Sequence, residues 1–339
     1  MDSLLFNLLT LVTSFFVSII FLTLHQKLAD KYNFLSKENG LKVPNKIVPT
    51  SGGIAMAFSF LLMILVLNYQ NDTPSSYLFT LFFGAGTMAF IGFLDDLFSL
   101  SALLRILAQI LFVTFIIYTF DLHLYYSHLT NPLPYIIVFA YSLFFIWVIN
   151  TFNFIDGADG LLISNTFLIS IVSGVYFYLA GEIPSAFILW ILASVSLGFL
   201  KFNWTPAKIF MGDSGSLFLG SLFVIFMTTS IVKDQISLWT WLILLSLFLT
   251  ETTVTLFVRL WRRENVLSGR HALHAYQKLV VKTNDHSAPS KAYLLLQCLW
   301  TIPASAASVF FPEISFYIFF TAILPMIFVF YYFGPGQLE

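Results

Sequence analysis

The sequence predicts an all-α polytopic membrane protein of about 11 transmembrane helices, and three observations carry that expectation. The 339-residue chain is 58% hydrophobic and only 10% charged, where soluble domains hold roughly 25% charged residues. Its mean hydropathy is +0.87. Apolar stretches of the ~20 residues needed to cross a bilayer core recur along its whole length. Helices are the expected form because an α-helix satisfies its own backbone polar groups in lipid. Forty phenylalanines suit a lipid-facing surface.

Eleven apolar spans follow, at about 3–24, 52–70, 77–94, 102–120, 133–150, 161–180, 183–200, 215–232, 237–258, 291–311 and 313–332. Breakers mark the divisions: Asn71-Asp72-Thr73-Pro74, Asn131-Pro132, Gly181-Glu182-Ile183-Pro184 and Phe311-Pro312-Glu313. Met1 to Leu24 lacks a basic leading segment and a small-residue cleavage site, so it is expected as a retained first helix. The lone cysteine, Cys298, excludes a disulfide within the chain and a cysteine-based zinc cluster, and is expected as a small buried residue. No internal repeat divides the chain, which is expected to be one integral membrane domain over 1–339.

Charge orients the bundle. Lys27, Lys31, Lys37, Lys42, Lys46, Arg105, Lys201, Lys208, Arg259, Arg262, Arg263, Arg270, Lys278, Lys282 and Lys291 all fall on one side of the predicted membrane. Lys233 alone falls on the other. By the positive-inside rule the rich side is cytoplasmic, with the N-terminus outside and the C-terminus cytoplasmic. The aspartates follow the same side: Asp95-Asp96 closes the third span, Asp156 and Asp159 follow the fifth, and Asp213 precedes the eighth. A helix end is a cheap place for one charge, but paired aspartates among glycines at a membrane rim point to function.

Five segments on that side carry the candidate chemistry, within loops at about 25–53, 92–105, 150–161, 200–216 and 259–291. Gly52 and Gly53, ahead of the second span, would let backbone N–H groups approach an anion at a helix start. Asp95 and Asp96, followed by Arg105 and Gln109, could share a divalent cation or a proton. Asn150 to Leu161 offers amide and carboxylate oxygens (Asn153, Asp156, Asp159) in a glycine-interrupted turn suited to Mg²⁺ and phosphate. Asn203 to Ser216 adds Lys208 and a Gly-Asp-Ser-Gly-Ser turn that puts Asp213 and two hydroxyls at a helix start, where a simple cap is the plainer role. Arg270, His271 and His274, in the longest polar loop, could hold a pyrophosphate.

In this order and on one face, these motifs resemble the polyprenyl-phosphate N-acetylhexosamine-1-phosphate transferase superfamily (MraY/WecA type, glycosyltransferase 4 family). The resemblance runs from the Gly-Gly turn through the histidine loop, and its WecA-like branch has eleven helices. Arg270-His271-Ala272-Leu273-His274-Ala275-Tyr276-Gln277 looks closest to the WbpL-like branch, which starts O-antigen or related surface glycans. Two positions depart from the family pattern. Only Lys46 supplies positive charge ahead of the Gly-Gly turn, and Ser99 stands where a basic residue is expected after the aspartate pair.

The resemblance implies transfer of N-acetylhexosamine 1-phosphate from a UDP-sugar to undecaprenyl phosphate, releasing UMP, at a bacterial cytoplasmic (inner) membrane. It implies Mg²⁺, with Mn²⁺ substituting, on Asp213 and Asp156, with Asn203 supporting. Asp95 and Asp96 would handle the lipid phosphate, Asp159 the nucleotide or the orientation of Asp156, and Arg270, His271 and His274 the diphosphate or sugar. Direct attack and a phospho-aspartyl route both remain open, as does the sugar. A homodimer is a further expectation, and no nucleic acid is. The alternatives are a multi-spanning transporter, for which Glu251 within the ninth span is the main candidate group, and an inactive scaffold of glycan assembly. Asp156-Gly157-Ala158-Asp159 is not the Asp-Gly-x-x-Ala-Arg signature of CDP-alcohol phosphotransferases.

Overall fold

A computed structural model describes residues 3–32, 48–69, 75–263 and 274–333. Lys46, Arg270 and His271 lie outside the described residues. The helices, in chain order, are α1 (Ser3–Tyr32), α2 (Gly52–Asn68), α3 (Ser76–Phe98), α4 (Ala102–Thr119), α5 (Leu133–Ile155), α6 (Leu161–Leu179), α7 (Ile183–Asn203) and α8 (Gly212–Val232). Then come α9a (Leu238–Leu244) and α9b (Ser246–Trp261), α10 (Ala275–Thr283), α11 (Ala288–Phe310) and α12 (Ser315–Tyr332). Among the described residues nine helices are long and apolar enough to cross a membrane; the bent α9a–α9b pair makes a tenth. The 17-residue apolar α2 is the remaining span expected from the sequence.

α8 is the centre of the bundle. It packs against α2, α3 and α5, and 94% of its most apolar 18-residue stretch is buried. A helix buried on all sides must satisfy every hydroxyl it carries. Thr228 donates to the Val224 carbonyl at 2.8 Å, Ser221 to Phe218 at 2.8 Å and Ser230 to Met227 at 3.0 Å. Small residues let the neighbours approach, as expected where helices pack without a hydrophobic drive between them. A Cβ on Gly53 would lie 2.1 Å from the Gly215 amide nitrogen, and one on Gly220 would lie 2.8 Å from Ile149 Cα.

Three expected boundaries shift, each for a local reason. The third span continues to Phe98, so Asp95 and Asp96 sit in the last turns of α3. Asp213 lies inside the first turn of α8, where the helix N-terminus favours an anion. The ninth span is not straight: α9a and α9b meet at 76°. The Gln297 side chain, from α11, donates to the Leu244 carbonyl at the break at 3.0 Å, supplying a partner that broken helices in lipid require. Cys298, beside it, is exposed and not buried as the sequence suggested.

Since the Gly53 contact is with backbone atoms, no rotamer change can relieve it. Gly53→Ala should destabilise the bundle by about 1–3 kcal/mol, read as a lower thermal midpoint of the detergent-solubilised protein by size-exclusion fluorescence; an unchanged midpoint would contradict this packing.

Candidate active site

The N-terminus of α8 organises the cluster. Asp96 accepts the Asp213 amide on Oδ1 at 2.8 Å and the Ser214 amide on Oδ2 at 3.2 Å. A carboxylate from α3 thus satisfies two of the N–H groups that a helix start leaves unpaired and lies against its positive end. Glycines make the approach possible. Gly212 adopts φ +72°, and a Cβ there would lie 2.5 Å from Asp96 Oδ2. A Cβ on Gly92, one turn before Asp96, would lie 2.2 Å from the Asp213 carbonyl oxygen.

The two adjacent aspartates therefore turn to different partners instead of sharing one ligand. Asp95, 8% exposed, faces Arg105. A single guanidinium nitrogen, Arg105 Nη1, lies 3.2 Å from Asp95 Oδ2 and 3.3 Å from Asp213 Oδ2. The second Asp213 oxygen accepts from Asn153 Nδ2 at 2.7 Å, and that nitrogen also reaches Ser216 Oγ at 3.1 Å. Below them, Gln109 and Asn150 exchange two amide hydrogen bonds at 2.7 and 3.3 Å, locking α4 to α5. Arg105 supplies the positive charge that the sequence lacks at Ser99.

Charge counting gives this cluster its chemistry. Three carboxylates (Asp95, Asp96, Asp213) meet one guanidinium, and Asp96 is offset by the α8 amides, so Asp95 and Asp213 share Arg105 between them. The Asp213 side chain is still 28% exposed. Among the described residues no three His, Cys, Asp or Glu side chains form a ready-made cage. Mg²⁺ commonly takes one or two carboxylates and completes its shell with substrate phosphate and water, so this donor set fits it.

The other candidate residues build the surrounding frame. The Asn203 amide accepts from the Gly160 N–H and donates to the Ile209 carbonyl, both at 3.0 Å. Asp159 Oδ2 accepts from the Ala207 N–H at 3.0 Å. These two buried side chains pin the 156–160 turn to the 203–210 loop. Asp156, at the end of α5, lines a small cleft with Asp159, Asn203, Phe210 and His286. Lys208 is exposed on the same loop. The Gly52 and Gly53 N–H groups are already given to the Phe210 and Met211 carbonyls at 3.0 and 2.9 Å, which takes them away from any anion. What those glycines provide is closeness: α2 lies directly on the start of α8.

The histidine loop joins through α10. His274 precedes that helix, and its Nδ1 lies 3.1 Å from Glu251 Oε2. Tyr276, fully buried, donates its hydroxyl to the Phe154 carbonyl at the end of α5 at 3.0 Å. Burial, with Glu251 and Asp156 nearby, pushes the Tyr276 phenol well above its ordinary value, so it remains a neutral donor. Sequence reasoning placed Asn150, Ser216, Gly92 and Gly212 within its motifs without giving the two glycines a spacing role, and it missed His286, which joins the cleft from the polar segment before α11.

Beside α5 lies a cavity of about 770 Å³ with mostly apolar walls, including Trp147, Leu249, Phe257 and Phe319, and with Arg262 among its lining residues. Trp147 stands six residues before Asn153, or roughly 9 Å along the helix axis. One helix therefore borders both the greasy groove and the charged cluster.

Asp96→Ala strips two N–H groups of their acceptor. It should cost about 1–3 kcal/mol, seen as a thermal midpoint several degrees below wild type, with Asp96→Asn intermediate. An Asp96→Ala protein as stable as wild type would remove the capping role.

Comparison with known proteins agrees with this construction. Residues 78–231, spanning α3 to α8 and hence Asp95, Asp96, Arg105, Asn153, Asp156 and Asp213, match Glycosyl transferase family 4. A probable undecaprenyl-phosphate N-acetylglucosaminyl 1-phosphate transferase of Bacillus subtilis (strain 168) is 26% identical over 331 residues, 94% of this chain and 91% of that protein. A phospho-N-acetylmuramoyl-pentapeptide-transferase of Prochlorococcus marinus subsp. pastoris is 30% identical over 281 residues, 74% and 75% of the two chains. An undecaprenyl-phosphate alpha-N-acetylglucosaminyl 1-phosphate transferase of Yersinia pestis is 32% identical over 232 residues, 63% and 61%. With its motifs on these helices and similarity over most of its length, the chain belongs to glycosyl transferase family 4, the polyprenyl-phosphate N-acetylhexosamine-1-phosphate transferase superfamily.

Proposed function

We propose that this chain transfers N-acetylhexosamine 1-phosphate from a UDP-sugar to undecaprenyl phosphate, releasing UMP and leaving undecaprenyl-diphospho-sugar. The observation that carries the reading is the Asp95–Arg105–Asp213–Asn153 cluster at one end of a lipid-embedded bundle, with an apolar groove along the same helix. A soluble anion and a lipid anion must meet, so the site has to neutralise charge and place both phosphates.

Asp213, the more exposed carboxylate, would hold Mg²⁺ (Mn²⁺ substituting) together with Asp156, close to Asn153 on the same chain segment. When bound, the cation would neutralise the donor diphosphate and the departing UMP. Asn153 orients Asp213 by donating to its other oxygen. Asp96 is committed to the α8 amides, so handling of the lipid phosphate falls to Asp95, with Arg105 positioned to attract it. Asp159 and Asn203 hold the turn that carries Asp156. The groove beside Trp147 takes the first isoprenoid units, with Arg262 available at its lining.

The same reading places the site at the cytoplasmic face of a bacterial inner membrane. Its support is the basic residues clustered at the site's end, against the exposed Lys233–Glu182 pair beyond the opposite end of α8. The histidine loop favours a WbpL-like role in O-antigen or another surface glycan. A transporter loses its main motive, because Glu251 is committed to the start of α10.

The test uses purified protein, undecaprenyl phosphate, Mg²⁺ and a panel of UDP-N-acetylhexosamines, scored for UMP release. Release is expected with at least one sugar, lost in EDTA and restored by Mg²⁺ or Mn²⁺. Asp213→Ala and Asp95→Ala should insert normally yet fall to background; a fully active Asp213→Ala would overturn the assignment.

A further inference from the structure

One ionised-type side chain inside the bundle has no part in the cluster above. Glu251 sits in α9b with 0% exposure, where an unpaired carboxylate would be costly. Its Oε1 accepts the Ala275 N–H at 2.9 Å, the first free amide of α10. Both of its oxygens lie within reach of His274 Nδ1, at 3.2 and 3.1 Å. The His274 backbone N–H is taken by Gln277 Oε1 at 2.9 Å. The imidazole is stacked on Tyr276 at 5.5 Å between ring centres and lies 6.2 Å from Phe154, the residue after Asn153. The His274 side chain keeps 16% exposure.

We infer that Glu251 is a positioning residue: from within the bundle it fixes the His274 ring so that Nε2, and not Nδ1, faces the substrate side of the active site. The inference rests on the transferase reading. With Nδ1–H given to a carboxylate, only Nε2 remains to meet an incoming phosphate or sugar oxygen. The stacking on Tyr276 fixes the ring plane, and Tyr276 is itself tied to the end of α5 through the Phe154 carbonyl. Glu251 thus sets three things at once: the start of α10, the orientation of His274 and the distance of both from the helix that carries Asn153. Where an imidazole ligates a metal, loss of such an outer partner typically costs about 10–100-fold in affinity or activity, and a loss at the low end of that range is expected for His274.

Glu251→Gln separates positioning from structure. The amide oxygen still accepts from the Ala275 N–H, so α10 stays capped. The amide nitrogen, however, replaces Oε2 with a donor facing His274 Nδ1, so the ring keeps one shared acceptor in place of two and its hold on the Nδ1–H tautomer weakens. The expected result is a thermal midpoint near wild type with kcat/KM lowered about ten-fold or more. Glu251→Ala should lose both stability and activity. In a His274→Asn background Glu251→Gln should add less than about a two-fold further loss, since residues that act through one another are not additive.

Donor affinity is measured alongside turnover by isothermal titration with the UDP-sugar, so that a variant with no turnover still reports. There too, Glu251→Gln should weaken binding in the wild-type background and leave it unchanged in the His274→Asn background. A Glu251→Gln enzyme within two-fold of wild type, or an equal loss in both backgrounds, would overturn the inference. Failure of the wild-type protein to turn over any UDP-sugar would instead overturn the transferase reading.

Discussion

The carboxylate cluster of the candidate active site depends on how closely α3 approaches the first turn of α8. Glycines allow the approach on both sides: Gly92 admits the Asp213 backbone carbonyl and Gly212 admits the Asp96 side-chain carboxylate. Helix starts carry unpaired N–H groups that cannot be left dry inside a protein. Asp96 answers that requirement, and in doing so it fixes the phase of α3. Asp95, one residue earlier, is then turned toward Arg105 and Asp213. A structural need at a buried helix end thereby sets the position of the candidate carboxylates Asp95 and Asp213.

The same contact explains the division of labour between like residues. Two aspartates next to each other in sequence differ in environment because one satisfies amides and the other faces a guanidinium. Asp213 is held from three sides, by Asn153, by Arg105 and through its own amide by Asp96, while keeping a solvent-accessible edge. Three carboxylates gathered around one guanidinium share protons or call for a cation. In the proposed function the groove along α5 supplies the apolar half of the site, so that a lipid tail and a charged head group would find their environments within one helix length.

Much of this was legible in the sequence. Hydropathy supplied the spans, and loop charge assembled Asp95, Asp96, Asp156, Asp159 and Asp213 at one end, because a helical bundle allows loops only at its two ends. What the sequence could not disclose depends on inter-helix geometry. The Gly-Gly turn read as an anion site because a helix start leaves its amides unpaired within the chain segment; the Phe210 and Met211 carbonyls that occupy them lie about 160 residues away in the chain. The bend between α9a and α9b has no glycine or proline at Leu245, and the Gln297 side chain that satisfies the broken end comes from another helix. Glu251 stood out as a charge within a span, but its partners at His274 and Ala275 follow only after a long loop.

The measurement closest to the central claim is UMP release by Gly92→Ala protein shown to be monodisperse and folded. A single methyl group there has to displace the first turn of α8 from Asp96, moving Asp213 relative to Asp95 and Asn153 without altering any charge. The account predicts transfer reduced by about two orders of magnitude or more, as misplacement of catalytic groups by ~1 Å does elsewhere. Turnover within two-fold of wild type would contradict it, showing that the α3–α8 contact does not set the site.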